Sequence, residues 1–209
     1  MFETFDSLFA HPPTLEGRIV RMEPLAPQHE DGLFEAASDP RMWEWLSSNH
    51  GGSRQSFSEW MTTALANRAR GVEFPFATVE RSTDRAIGSS RYLALRPEHR
   101  GLEIGWTFLG PAWWGTGANS EAKLLMLDHA FGPMDCMRVE FKTDAKNERS
   151  RAALEAIGAR FEGVFRKHML VRDGELRDSA WYAITDDEWP DVRAHLAARV
   201  DAALERSTS

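Results

Sequence analysis

The feature that most constrains this chain is a change of period in its apolar pattern. After one short alternating segment at 18–23, apolar residues recur at helical spacing as far as Ala69, and from Phe74 onward the spacing falls to two. Segments 76–80, 85–95 and 101–109 read as three consecutive strands. They are joined at Ser82-Thr83-Asp84 and at Pro97-Glu98-His99-Arg100, residues with turn chemistry, which makes them an antiparallel meander. Beyond it the periods alternate: helix at 117–131, strand at 138–143, helix at 148–157, long strand at 160–171, a turn at Asp173-Gly174, a last strand at 176–184 and a closing helix from Asp186. An all-parallel doubly wound sheet has no place for a meander, and an all-β sandwich has none for the helices. A mixed α/β domain is expected, with a mostly antiparallel central sheet of about seven strands flanked by helices.

The N-terminal half supplies the first strand, which stops at Pro24, and a helix opened by Pro27 that carries Leu33, Phe34 and Ala37. A second helical stretch is expected after Asp39-Pro40, with Met42, Trp43, Trp45 and Leu46, and a third helix at 57–69 follows the Ser/Gly-rich loop around His50. At 209 residues the chain suits one domain, read as 17–206, with an arm at 1–16 and a tail at 207–209. Phe2, Phe5 and Phe9 give the arm an apolar side, to be draped on the domain, lent to a partner subunit in a homodimer, or left frayed.

Charge and cysteine content exclude several functions. With 32 Asp and Glu against 25 Lys and Arg, a formal net charge of -7, the chain has no global basic field for nucleic acid. An acidic chain suits a cationic acceptor, although net charge does not locate a site. One cysteine, Cys136, allows no intrachain disulfide and no Cys-based zinc cluster, and the seven His residues lack metal-binding spacing, so no metal is expected. The first residues lack the pattern of a signal peptide and no apolar run approaches a membrane span, so a cytoplasmic, membrane-free protein is expected.

The densest chemical signal is Trp113-Trp114-Gly115-Thr116-Gly117-Ala118-Asn119-Ser120-Glu121-Ala122, between the meander and its first helix. Two glycines one residue apart let backbone approach a ligand, and the helix that follows aims free N–H groups and its positive end at the same place. That describes a phosphate or pyrophosphate cradle, or simply a tight turn. No Gly-Lys-Ser/Thr follows, as a Walker loop requires, and Ser120 stands where a dinucleotide fingerprint has its third Gly. A bulky residue at Gly117 is expected to block the ligand and spare the fold.

These residues resemble the GNAT superfamily of acyl-CoA-dependent N-acyltransferases, in its ribosomal-protein-alanine N-acetyltransferase-like branch (RimJ/RimL-like). The resemblance rests on Glu103-Ile104-Gly105-Trp106, Pro111-Ala112-Trp113-Trp114-Gly115-Thr116-Gly117, Glu121-Ala122, Asn147-Glu148-Arg149-Ser150 and Gly158, in order and at the branch's spacing. It covers the chain from about Gly17 to Trp189.

The resemblance implies transfer of an acetyl group from acetyl-CoA to a primary amine, a peptide N-terminus or a small amine, by direct attack on the thioester. It implies that backbone amides of Trp114, Gly115, Thr116, Gly117, Ala118, Asn119 and Ser120 hold the CoA pyrophosphate, and that Asn147 holds the pantetheine. Glu103 would be the base, directly or through water, and Ser150, near the CoA sulfur, or water would be the acid that protonates the thiolate. An attacking amine must first lose its ammonium proton, which is the chemical need a carboxylate meets. Three residues depart from the pattern: Trp114 at a Gln/Arg position, Asn119 at a Gly/Ala position and Leu154 where many relatives carry the acidic Tyr. They keep open a domain that binds CoA or a protein without turnover; another donor such as succinyl-CoA also stays open.

Each site residue has a plain structural reading as well. Asn147 three residues before Ser150 is ordinary helix capping, and Glu103 would serve equally as a surface or salt-bridged carboxylate. Trp43, Trp45 and Trp60 lie in the half where the family places its acceptor site, but tryptophans at helical spacing are more often core. His50, His168 and the Arg166-Lys167-His168 run are read either as acceptor or 3′-phosphate contacts or as polar surface.

Overall fold

The computed structural model describes residues 5–171 and 174–207. Phe2, Asp173 and the last two residues of the tail lie outside them. The first helix, α1 (Phe5–Ala10), buries Phe5 and Leu8 against the sheet, so this part of the arm lies on the domain. The strands are β1 (Leu15–Glu16), β2 (Val20–Pro24), β3 (Phe74–Glu80), β4 (Ala86–Arg96), β5 (Gly101–Leu109), β6 (Arg138–Asp144), β7 (Arg160–Val171) and β8 (Glu175–Thr185). They form one eight-stranded sheet in the order β1-β2-β3-β4-β5-β6-β8-β7. Every neighbouring pair is antiparallel except β5 with β6. The strand beyond the expected seven is β1, two residues with no periodicity to read.

Helices cover both faces. Phe74 and Phe76 point from β3 into one core with Leu102, Ile104 and Tyr182, closed by α1, α4 (Ala118–Phe131), α5 (Glu148–Ala156) and α6 (Trp189–Ser207). Ala77 and Val79 point the other way, into a core with Leu33, Trp43, Phe57 and Trp60 under α2 (Glu30–Ala37) and α3 (Arg54–Ala69). The period of two in β3 is thus read out on both faces, each packed dry against helices.

The helical stretch expected around Met42 to Leu46 is a single 3-10 turn, Pro40–Met42, running into irregular chain. Asp39 caps the turn by accepting the Arg41 N–H at 2.9 Å. The Trp43 indole then donates to the Ala37 carbonyl at 2.7 Å, folding the segment back on α2. Helical spacing was real there, but it served to fill the core from a loop.

Two irregularities position the site. Between Ser89 and Arg91, opposite 105–108, β5 carries one residue more than β4, and Trp106 takes up the bulge at φ 50. The Arg91 guanidinium lies between the rings of Trp60 and Trp106, at 4.9 and 5.0 Å from their centroids, and pairs with Glu73 at 2.6 Å. This stack holds a bulky residue in a backbone region that it would otherwise leave. Second, β5 pairs with β6 only from Gly101 to Glu103; beyond that, β6 continues on β8 while β5 continues on β4. The two parallel strands therefore part in the middle of the sheet.

Candidate active site

The parting strands open a cavity of about 410 Å3 that reaches from the loop after the first helices to the start of α4. Glu103, Trp114, Gly115, Asn119, Asn147 and Ser150, scattered over 48 positions of sequence, all line it. Leu154 lines it too. Thr116, Gly117, Ala118 and Ser120 do not: Ala118 is fully buried in the core, and the Thr116 hydroxyl is spent inside the turn, donating to the Trp113 carbonyl at 2.8 Å.

The turn before α4 has the form of an anion cradle. Gly115 and Gly117 stand at φ +77 and +93, conformations that ordinary side chains resist. Bonds within the turn and cap use the amides of Trp114, Thr116, Ala118 and Glu121, which leaves those of Gly115, Gly117, Asn119 and Ser120 at the positive end of a 14-residue helix. Trp114 carries two cations beside the turn. The Arg149 guanidinium sits 3.9 Å from its ring centroid and that of Arg41 5.2 Å, while its indole donates to the Leu109 carbonyl at 2.7 Å.

The two glycines have different tasks. A Cβ on Gly115 would meet open space, whereas one on Gly117 would lie 2.5 Å from Ala203 Cβ and 3.0 Å from Ile19 Cδ1. The expectation that bulk at Gly117 spares the fold is therefore corrected: the collision is with the core, because α6 packs behind the turn. Gly117→Val is expected to lower the melting temperature with or without ligand. Gly115→Val is expected to cost only about 1–2 kcal/mol of stability for its positive φ while crowding the cavity mouth. Thermal scans of both variants with and without CoA check this; equal stability of the two would overturn it.

The α4 start is anchored from behind by Glu121, absent from the expected site. Its buried carboxylate accepts the backbone N–H of Arg18 at 2.8 Å, Ile19 at 2.6 Å and Val20 at 2.7 Å. Gly17 allows the approach, since a Cβ there would lie 2.6 Å from that carboxylate.

Glu103 is 2% exposed, and its Oε2 accepts from Lys142 Nζ at 2.8 Å. It is salt-bridged, and it also faces the cavity. The carboxylate folds along its own strand because Gly105 has no side chain: a Cβ there would lie 2.8 Å from Glu103 Oε1. Across the cavity, Asn147 caps α5, its Oδ1 accepting the Ser150 N–H at 3.0 Å. The capping reading therefore holds for its oxygen, and the Ser150 side chain stands on the first turn of that helix.

Several other groups are removed from the chemistry. The chain's two tyrosines line no part of the cavity: Tyr92 donates to the Met126 carbonyl at 2.7 Å, and Tyr182 is held between Arg151 and Glu155. Cys136 is buried away from the cavity and its thiol is pushed up to about 12 by that burial, far from a nucleophile. His50 bonds Ser48 and Ser56 and His168 bonds Ser179, both lowered from the ordinary imidazole range by burial. Arg166, Lys167 and His168 lie in a separate shallow surface dip with Phe165 and Asp178. Trp43 and Trp60 are core, while Trp45 lines the cavity. Among the described residues no helix is long and apolar enough to cross a membrane.

Charge in the cavity is opposite to that of the chain. Its lining carries Lys142, Arg149 and Arg177 against the single carboxylate of Glu103, and the amine of Lys123 besides. Sequence reasoning named neither Lys123 nor Lys142; no motif marks them, and only the fold brings them to the wall.

A mixed sheet parts between two parallel strands, and a helix start is aimed into the gap. Residues 20–160 match the family described as the acetyltransferase (GNAT) domain, and the chain belongs to that family. It is similar to a GCN5-related N-acetyltransferase from Brucella melitensis, with a TM-score of 0.84 and 32% identity over 90% of this chain and 85% of that one. It is also 28% identical to the uncharacterized N-acetyltransferase YnaD of Bacillus subtilis (strain 168), over 75% of this chain and 88% of the relative. RimJ of Mycobacterium smegmatis, solved in complex with CoA-disulfide, shares the fold at a TM-score of 0.77 and 23% identity, covering 90% and 95% of the two chains. The chain is thus an N-acetyltransferase of the GNAT family, a family that generally uses acetyl-CoA and acts on amines.

Proposed function

We propose that this enzyme moves an acetyl group from acetyl-CoA to a primary amine, a peptide N-terminus or a small amine, by direct attack within the cavity between β5 and β6. One observation carries the reading: the gap places a glycine turn with unspent amides, the Glu103 carboxylate and the Ser150 hydroxyl around a single space. The pyrophosphate lies against the amides at the α4 start, with Arg149 on Trp114 adding charge, and the pantetheine runs along the free edge of β5 past Asn147. The amine enters from the Trp45 and Leu46 side and gives its proton to Glu103, directly or through water. Nitrogen attacks the thioester carbon; as the tetrahedral intermediate collapses and the C–S bond breaks, the thiolate takes a proton from Ser150, and the second proton of the attacking nitrogen passes through water to restore the Ser150 hydroxyl, leaving a neutral amide. Ser150 has the role because neither tyrosine reaches the cavity and Leu154 has no proton to give. A covalent acyl-cysteine route has no nucleophile here, as Cys136 is buried elsewhere.

Release of free thiol from acetyl-CoA on addition of peptide and small-amine libraries tests the activity, with succinyl-CoA as the alternative donor and mass shift identifying the acceptor. Ser150→Ala is expected to lower kcat more than it raises KM for acetyl-CoA, since a proton donor to the thiolate acts in the transition state. A change in KM alone would make Ser150 a binding or capping residue.

A further inference from the structure

The wall of the cavity holds a lysine that the proposed mechanism does not use. Lys123 stands in the second turn of α4 and is 4% exposed. A helical side chain leans back toward the N-terminus of its helix, and this one leads its amine toward the end where the cradle lies. Its Nζ donates to Ser90 Oγ at 3.0 Å and to Thr107 Oγ1 at 2.8 Å, and these hydroxyls are 2.7 Å from each other. The triangle uses two of the amine's tetrahedral positions, and Lys123 lines the cavity.

Beyond these two neutral acceptors, no charged group favours an ammonium there. Ser90 from β4 and Thr107 from β5 are neutral. On α4 itself, the Glu121 carboxylate is turned away to the amides of 18–20, and His129 stacks on Tyr92. Glu103 of β5 is paired with Lys142 of β6, and Arg149 of α5 adds positive charge from its place on Trp114. No carboxylate among the described residues lies within ion-pair distance of Lys123 Nζ, and the nearby helix end is positive as well. Desolvation alone brings the amine down to about 7.

We propose that Lys123 is a switched counter-charge for the phosphate-bearing cosubstrate, uncharged in the empty site and protonated from solvent as the cosubstrate binds. The inference rests on the reading of the cavity as a CoA site. The pyrophosphate brings two negative charges to the α4 start, inside the same low-dielectric space, and reverses the balance that kept the amine neutral. The proton comes from the buffer and ends on Nζ; no bond to the cosubstrate forms. By linkage, affinity for CoA must then fall as pH rises through the liganded pKa, because the binding-competent ammonium must be made at growing cost.

Titration calorimetry of CoA into the enzyme at pH 8, in two buffers of different ionisation enthalpy, counts the protons taken up on binding. At that pH an amine titrating near 7 is about nine-tenths neutral, so uptake of roughly half a proton or more is expected. Lys123→Met and Lys123→Arg, the one without the amine and the other charged throughout, are both expected to bind CoA without that uptake. Wild-type binding with no uptake at pH 8 overturns the proposal without need of a variant, as does the same uptake in either variant. Absence of any binding heat, with no CoA-dependent rise in melting temperature, would instead overturn the CoA reading itself.

Discussion

Replacing Glu103 by glutamine is expected to lower turnover of acetyl-CoA with a primary amine by roughly 10²–10⁴ at neutral pH. An acceptor amine with a pKa near 10 arrives almost wholly as ammonium and has no lone pair until a base takes its proton. Glu103 is placed for that task on the cavity wall, and its position is over-determined: Gly105 leaves room for the carboxylate beside its own strand, and Lys142, itself 5.4 Å from the Trp181 ring centroid, holds Oε2. Glutamine keeps the size and an oxygen for Lys142 and loses the basicity. The deficit should shrink as pH approaches the acceptor's own pKa, because the amine then enters deprotonated, and affinity for acetyl-CoA should barely move. A pH–rate profile of kcat/KM for the two proteins reads this directly. A loss that does not vary with pH would make Glu103 an orienting group, and full activity would hand the proton to another base or to bulk water.

Glu121→Ala is expected to destabilise the fold by about 3–5 kcal/mol. Three backbone donors lose a charged acceptor at once, and each buried donor left alone costs about 1–3 kcal/mol, moderated here because the amides of Arg18 and Ile19 are only part-buried. The carboxylate also sits in the first turn of α4, where the helix dipole favours a negative charge. For a domain of this size that corresponds to a drop in melting temperature on the order of 10 °C. Glu121→Gln should fall between, since one of its two terminal groups still accepts. The consequence reaches function, because Gly117, which begins the α4 cap, packs on Ile19, the residue that Glu121 holds. A melting temperature within about 2 °C of wild type would show that water replaces the carboxylate.

The contrast between these residues shows what could be read in advance. Glu103, the glycine turn and Asn147 to Ser150 were legible because each sits in a local pattern: a carboxylate beside Gly-Trp, glycines before a helix, a capping residue at a helix start. Glu121 was legible only as part of the family's Glu-Ala pair, and its three bonds cross more than a hundred residues. Lys123 looked like an ordinary helical lysine, since nothing local says that Ser90 and Thr107 will close over it. Arg91 gave no sign that it would be stacked between two tryptophans.

Strands, helices and the mixed character of the sheet were determined by the sequence itself, because hydrophobic period and turn chemistry act over a few residues. β5 and β7 run over the expected spans, 101–109 and 160–171. What tertiary structure alone decided was the divergence of β5 from β6, the direction in which a Cβ on Gly117 points, the helical spacing of Met42 to Leu46 spent on a loop, and the positive lining of a cavity in a chain of charge -7. Each depends on which distant residues share a space, and desolvation in that space, unlike composition, sets which charges survive there.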